Sequence, residues 1–383
     1  MFTKISKKIS IYLFLTLIYV SLAEVTLSLF DPEKVFVKSF DESLLFSMYP
    51  NSRGVVISEE YKVSVETNNF GGRQKLNSAT YPILLMGDSF SEGWGVEEEE
   101  DFTSVANNIL PSDMKIRNMG VHGSCPSLMY IHLMKYVESF KPQKVYLQLF
   151  DNDLDDLDKL DQFINSENGE TKPKKPLFVK FVGTYLYNTI KESSIFRLAK
   201  RALKFTRGGK EPILYFKEGS EPKIKILTHV ESLKKFGKLA PLGNEIDTKY
   251  NGQFEFYAKP EESRWKERLA KETFYLNLIF KLLKERNVEL GLIYIPAKEF
   301  FAAGGILGTE KKRDLTLFES KNIHYRNIQA FCESKSISCL MGTKLLWNEN
   351  PEDLYFPYDA HWNRKGHNNF GKIFAAEIQK SFQ

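Results

Sequence analysis

The chain predicts an α/β fold organised on a parallel sheet whose functional edge lies on one side. Three short strand-like runs carry this prediction: the apolar residues 82–86 (PILLM), then 115–119 (KIRNM) and 144–150 (KVYLQLF). Each has the length of a strand buried on both faces. Each also stops abruptly in small or polar residues, at Gly87-Asp88-Ser89, at 118–123 (NMGVHG) and at Asp151-Asn152-Asp153. Helical spacing over 101–110 and 127–140 separates the runs, which is the alternation of a parallel sheet. Open α/β sheets keep their sites at the carboxyl ends of such strands.

Length and composition set the bounds. A chain of 383 residues holds one large domain or two. Its net charge of +4 is small for that length and gives no argument for nucleic acid, and three cysteines exclude a disulfide-built scaffold. At the N-terminus Lys4, Lys7 and Lys8 precede an apolar run over 9–23, and after Glu24 the chain is apolar again to Phe30. That is the pattern of a signal peptide or a signal anchor over 1–30. Ser21 and Ala23 suit cleavage. The whole stretch reaches the roughly 20 residues a membrane helix needs, and this favours a retained anchor. On either reading the lysines stay in the cytoplasm and the body is exported.

The remaining elements follow in order. Residues 31–80 read as an extended, turn-rich approach with strand alternation at Tyr61, Val63 and Val65. Regular alternation is lost over 154–260, too long for an ordinary connection and read as an inserted cap or side lobe. Within it lie a polar loop at 165–176, apolar residues at helical spacing over 185–205 ended by 207–210 (RGGK), and a mixed stretch at 224–257. Its lysines make a solvated face, or else bind an anionic lipid surface or a glycan. A long amphipathic helix over 262–286 returns to the core. A fourth strand follows at 288–295, a helix at 323–334, a fifth strand at 337–341 and a closing helix over 365–380. The core is thus 31–153 together with 261–383.

Taken singly, the polar residues at the strand ends have ordinary readings. Ser89 caps a helix, Gly123 serves a turn, Asn152 caps a loop and His361 sits on the surface. Taken together they form four blocks in order: GDSFSEGWG at 87–95, Gly123, Asn152-Asp153 and Asp359-Ala360-His361-Trp362-Asn363. This pattern resembles the SGNH/GDSL-type hydrolases, serine esterases and acyl-transfer enzymes on a flavodoxin-like α/β/α sandwich. The resemblance covers 82–153 and 287–382. It implies a three-layer α/β/α sandwich around a parallel five-stranded sheet, with Ser89 as nucleophile and His361 as its base. A serine hydroxyl needs a base to take its proton, and histidine suits that near neutral pH. The orienting acceptor is Asp359 or a backbone carbonyl, because the family's commonest spacing is three and here it is two. Oxyanion donors would be the N–H of Ser89, the N–H of Gly123 and the side-chain amide of Asn152.

The implied activity is hydrolysis of an O-acyl ester, acetyl included, on a small molecule or glycan. An O-acyltransferase or deacetylase acting on a cell-envelope glycan shares the acyl-enzyme. The DAHW segment also resembles one in alginate acetyltransferase-like proteins, which place it before the serine. A rival of another class is a silent envelope-binding protein on the same fold. Other constellations carry less. Asp151, Asp153 and Asp155 lack the glycine and closing glutamate of a calcium loop and read as a solvated loop, with Asp153 helping to set Asn152. The six histidines show no metal spacing, and neither a metal nor a cofactor is expected. His122 is a surface histidine or a substrate contact. Cys332 and Cys339 either close a small loop in an oxidising compartment or are both simply buried, with Cys125 free.

Overall fold

In a computed structural model the protein is described at residues 2–29, 38–57, 60–78, 80–167, 170–206, 214–216, 261, 263–297, 315–356, 359 and 361–381. The chain enters through a helix at Phe2–Ser28, within which Lys8–Ser28 is long and apolar enough to cross a membrane and has none of its apolar window buried in the protein. Two short strands, β1 (Lys38–Asp41) and β2 (Leu45–Met48), form an antiparallel hairpin. β3 (Arg53–Ile57) and β4 (Lys62–Glu66) form another. On β4 the expected alternation holds, with Val63 and Val65 buried between exposed Lys62 and Ser64.

The five strands expected for the main sheet are all present. They are β5 (Ile83–Met86), β6 (Ile116–Asn118), β7 (Lys144–Phe150), β11 (Glu289–Ile295) and β12 (Ser338–Met341). Three small strands intervene in the chain: β8 (Ile164–Glu167), β9 (Glu170–Pro173) and β10 (Leu214–Phe216), the last pairing with β3. The main sheet runs β12-β11-β7-β5-β6 with every pairing parallel. β5 and β7 are buried along their whole length, as strands covered on both faces must be. Helices at Phe102–Ile109 and Arg364–Ser381 pack together as one layer, and those at Pro126–Phe140, Asp153–Asp161, Ser263–Lys284 and Ile323–Lys335 as another. The chain goes from β5 outward to β6 and then back across to β7. The crevice where strand order reverses therefore opens at the carboxyl ends of β5 and β7.

Three expectations need revision. The stretch read as a polar loop at 165–176 carries strands β8 and β9, which pair antiparallel. The 185–205 stretch is not one helix: Thr184–Glu192 and Ser194–Thr206 break at Ser193. The Glu24 carboxylate accepts from Ser193 Oγ at 2.7 Å, from the N–H of Ser194 at 2.6 Å and from that of Ile195 at 3.1 Å. The break is a helix start capped from a distant part of the chain. The run at Asp151 is also no solvated loop. Asp151 is fully buried and accepts from the Tyr294 hydroxyl at 2.6 Å, the Ala297 N–H at 2.8 Å and His324 Nδ1 at 3.0 Å. The stretches read at 207–210 and 224–257 lie outside the described residues. Cys332 and Cys339 form a disulfide with Cα atoms 6.1 Å apart, and Cys125 is free and buried.

His324 lies between two buried carboxylates, its Nε2 2.7 Å from Glu272. Burial alone would lower its pKa, but Glu272 and then Asp151 outweigh that and raise it to about 10. A group raised in the folded state contributes stability that is complete below its unfolded pKa near 6.5 and is lost as pH rises through 10. Calorimetry should show Tm falling over that window. In Glu272→Gln the fall should begin at lower pH, from a ground state about 3–5 kcal/mol less stable. A Tm flat across the window would count against a charged His324.

Candidate active site

The turn after β5 is shaped by what lies beneath it. Gln148, in the middle of β7, points its Oε1 at the turn and accepts from the Asp88 N–H at 3.1 Å, the Ser91 N–H at 3.2 Å and Ser91 Oγ at 2.9 Å. The backbone comes so close that a Cβ on Gly87 would stand 2.2 Å from Ser91 Oγ and 2.6 Å from Gln148 Oε1. Only glycine fits there. Asp88 then caps the short Ser89–Glu92 helix, accepting from the Phe90 N–H at 2.9 Å. Ser89 is left at the rim, 7 % exposed.

His361 reaches Ser89 from the far end of the sequence. Its Nε2 lies 2.6 Å from Ser89 Oγ, while its Nδ1 hydrogen-bonds Asp359 Oδ1. A carboxylate only accepts, so Nδ1 carries the proton and Nε2 is free to accept from the serine hydroxyl. The spacing of two between Asp359 and His361 closes as an Asx turn, with the same Oδ1 accepting the His361 N–H at 3.1 Å. Position is set by the next residue. Trp362 bridges to Tyr355, is fully buried, and packs on Phe90 at 5.3 Å and Phe370 at 5.0 Å between ring centroids. Successive side chains of an extended segment point oppositely, so burying Trp362 turns His361 toward the cleft. Phe90 lies under the imidazole, ring centroids 4.9 Å apart.

Asp359 is held on its other side as well. Its Oδ2 accepts from the Tyr61 hydroxyl at 3.0 Å and Trp94 Nε1 at 3.3 Å, and its N–H donates to Glu60 at 2.6 Å. Burial works against its charge, but the imidazole and these donors hold the carboxyl down to about 2. For His361 burial is outweighed by Asp359, then by Asp88 and Glu92, and its pKa rises. Burial pushes Asp88 up to about 7, against the Phe90 N–H and His361, which favour its charged form. Asp153 is pushed well above the ordinary carboxylate value by burial and then by Asp88.

The expected oxyanion residues are placed unevenly. Gly123 has φ +63°, where L side chains are strained, and a Cβ there would stand 3.2 Å from Lys38 Nζ. Asn152 donates its amide to Asp156 Oδ2 at 3.0 Å, so Asp156, not Asp153, sets it. Asp153 instead accepts the Phe150 N–H at 3.2 Å. His122 is not a plain surface residue: its Nδ1 lies 3.0 Å from the buried Glu92, and its ring is 5.5 Å from Trp94. Lys38, Tyr61, Trp94 and Gln148 belong to this site and were not singled out from the sequence. Only Gln148 carried a signal there, as a lone polar residue inside an apolar strand.

No family model matches the chain, and no curated protein does. Among solved structures it is similar to an acetylxylan esterase of Geobacillus stearothermophilus, at 11 % identity and TM-score 0.39 over 80 % of this chain and 96 % of that one. A psychrotrophic esterase of Pseudoalteromonas, solved with monoethylphosphonate as inhibitor, gives 12 % and 0.37 over 78 % and 97 %. An acetyl xylan esterase gives 11 % and 0.38 over 77 % and 99 %. At these values the likeness carries no argument about this chain.

The raised pKa of His361 can be read directly. In an NMR titration its imidazole should titrate above the ordinary 6.5, and Asp359→Asn should lower that midpoint by removing the charge that favours the imidazolium. An unchanged midpoint in the variant would show that the carboxylate does not face the ring.

Proposed function

We propose that the chain is a serine esterase, hydrolysing an O-acyl ester of a small molecule or glycan through an acyl-enzyme on Ser89. The observation that carries this reading is the hydrogen-bonded series Ser89 Oγ, His361 Nε2, His361 Nδ1 and Asp359 at the crevice beside β5 and β7. His361 takes the hydroxyl proton as Ser89 Oγ attacks the ester carbonyl, and the new imidazolium is stabilised by Asp359. The developing oxyanion is met by the N–H groups of Ser89 and Gly123 and by the Asn152 amide. His361 then returns its proton to the departing alcohol. Water activated by the same imidazole releases the acid. The resemblance of the four sequence blocks to SGNH/GDSL-type hydrolases supports the same assignment.

The body of the protein is placed outside the cytoplasmic membrane, held by the N-terminal helix. Three lysines ahead of the span support that orientation, and the Cys332–Cys339 disulfide fits an oxidising compartment. External protease should therefore digest the body in spheroplasts; a body protected until lysis would reverse the topology.

Ser89→Ala and His361→Ala should each lower kcat on an activated acetyl ester by on the order of a million-fold, and the double variant hardly more. Asn152→Ala should cost about a hundred- to thousand-fold. Circular dichroism would establish that each variant is folded. Wild-type turnover in Ser89→Ala would end the serine mechanism.

A further inference from the structure

Exposed apolar side chains are concentrated on one part of the body. Among the described residues after the N-terminal helix, large exposed hydrophobics occur at Leu177, Phe178, Phe181, Tyr185, Leu186 and Phe196. Elsewhere among the described residues after that helix, Leu29, Phe70, Ile109, Phe274 and Leu345 compare. Phe181 and Tyr185 are 79 % and 85 % exposed, costly in water at about 25 cal/mol per Å² of apolar surface. All six sit on three consecutive helices, Leu177–Val182, Thr184–Glu192 and Ser194–Thr206. Over 174–206 the chain carries eight basic residues and one acidic, Glu192. Apolar bulk with a strongly basic background is the composition of a helix lying in a lipid headgroup layer.

The position of this unit relative to the anchor is fixed. Glu24, in the N-terminal helix, caps the Ser194–Thr206 helix with three hydrogen bonds. It lies four residues before Ser28, about 6 Å along the axis from the end of that helix. If the helix spans a bilayer, the three short helices leave it at headgroup depth. They are also tied to the candidate active site. The Asn188 side chain bonds the N–H and the carbonyl of Phe40 at 2.9 and 2.8 Å, and Lys191 Nζ bonds the Lys38 carbonyl at 3.0 Å. Lys38 in turn reaches the Gly123 turn.

We propose that residues 177–206 form a second membrane contact, lying in the outer headgroup interface with Phe181 and Tyr185 immersed and the basic residues on anionic lipid. The proposal rests on the reading of the N-terminal helix as a span, and not on the esterase activity. It is tested on the full chain in vesicles of equal parts phosphatidylcholine and phosphatidylglycerol, with a nitroxide spin label on Phe181→Cys, Tyr185→Cys, Leu17→Cys or Leu345→Cys. Relaxation by oxygen, which partitions into lipid, should exceed that by a water-soluble nickel complex severalfold at 181 and 185, as at 17, with the opposite order at 345. Water-like labels at 181 and 185 beside a lipid-like label at 17 would overturn the second contact alone. Labels at 181 and 185 shielded from both agents would overturn it too, because protein would then cover the patch. A water-like label at 17 would remove the span itself.

Discussion

One buried amide sets the geometry of the sheet edge. Gln148 sits on the central strand β7, fully enclosed, and offers a single carbonyl oxygen to three donors of the turn that carries Ser89. A buried acceptor in a low-dielectric interior is costly to leave unmatched, so the turn is drawn down onto the strand. Gly87 has no side chain because that approach leaves no room for one. Asp88 and Ser91 face inward, and Ser89 between them faces the cleft. The parallel register of β5 with β7, Met86 opposite Leu147, brings Gln148 under the turn.

The histidine side is organised by packing, and the polar contacts follow from it. Trp362 fills the core among Phe90, Phe102 and Phe370, and burial of so large a side chain is worth several kcal/mol. His361 is held by its neighbour's burial, then oriented by Asp359. Charge is divided unequally over the acids around it. Asp359, with donors on both oxygens, is kept ionised, whereas Asp88 and Asp153, buried near each other, are pushed toward the protonated form. The field at the imidazole therefore comes chiefly from the carboxylate that also aligns it.

A second buried histidine shows how different the same residue type becomes in another setting. His324 lies between Asp151 and Glu272, with both ring nitrogens bonded to carboxylates and no exposure to solvent. It joins the end of β7 to the Ser263–Lys284 and Ile323–Lys335 helices, three elements far apart in the chain. His361 keeps one nitrogen for a hydroxyl at the surface of the cleft. The contrast is between a charge locked into the core and a base left able to change its protonation.

The sequence by itself determined the strands of the main sheet, that they run parallel, and the positions of the polar turns at their ends, whereas their order in the sheet came from the tertiary structure. The former are local properties: a short apolar run between breakers has few other structures open to it. Ser89, Asp359 and His361, which the fold brings together in the crevice, could be marked as candidates for the same reason, each lying in a short motif. The roles of Tyr61 and Trp94 were not legible, since they meet Asp359 across 298 and 265 residues, and neither the strand pattern around Tyr61 nor the block around Trp94 marks that contact. The helical spacing over 185–205 held, but the break within it was not legible, on the same ground. The stretch breaks at Ser193 only because Glu24, 169 residues earlier, supplies the cap. The Asp151 run looked solvated because carboxylates usually are, and only the fold brought His324 and Tyr294 to it. Periodicity specifies elements; which polar groups satisfy one another inside them is decided by what the tertiary structure brings within hydrogen-bonding distance.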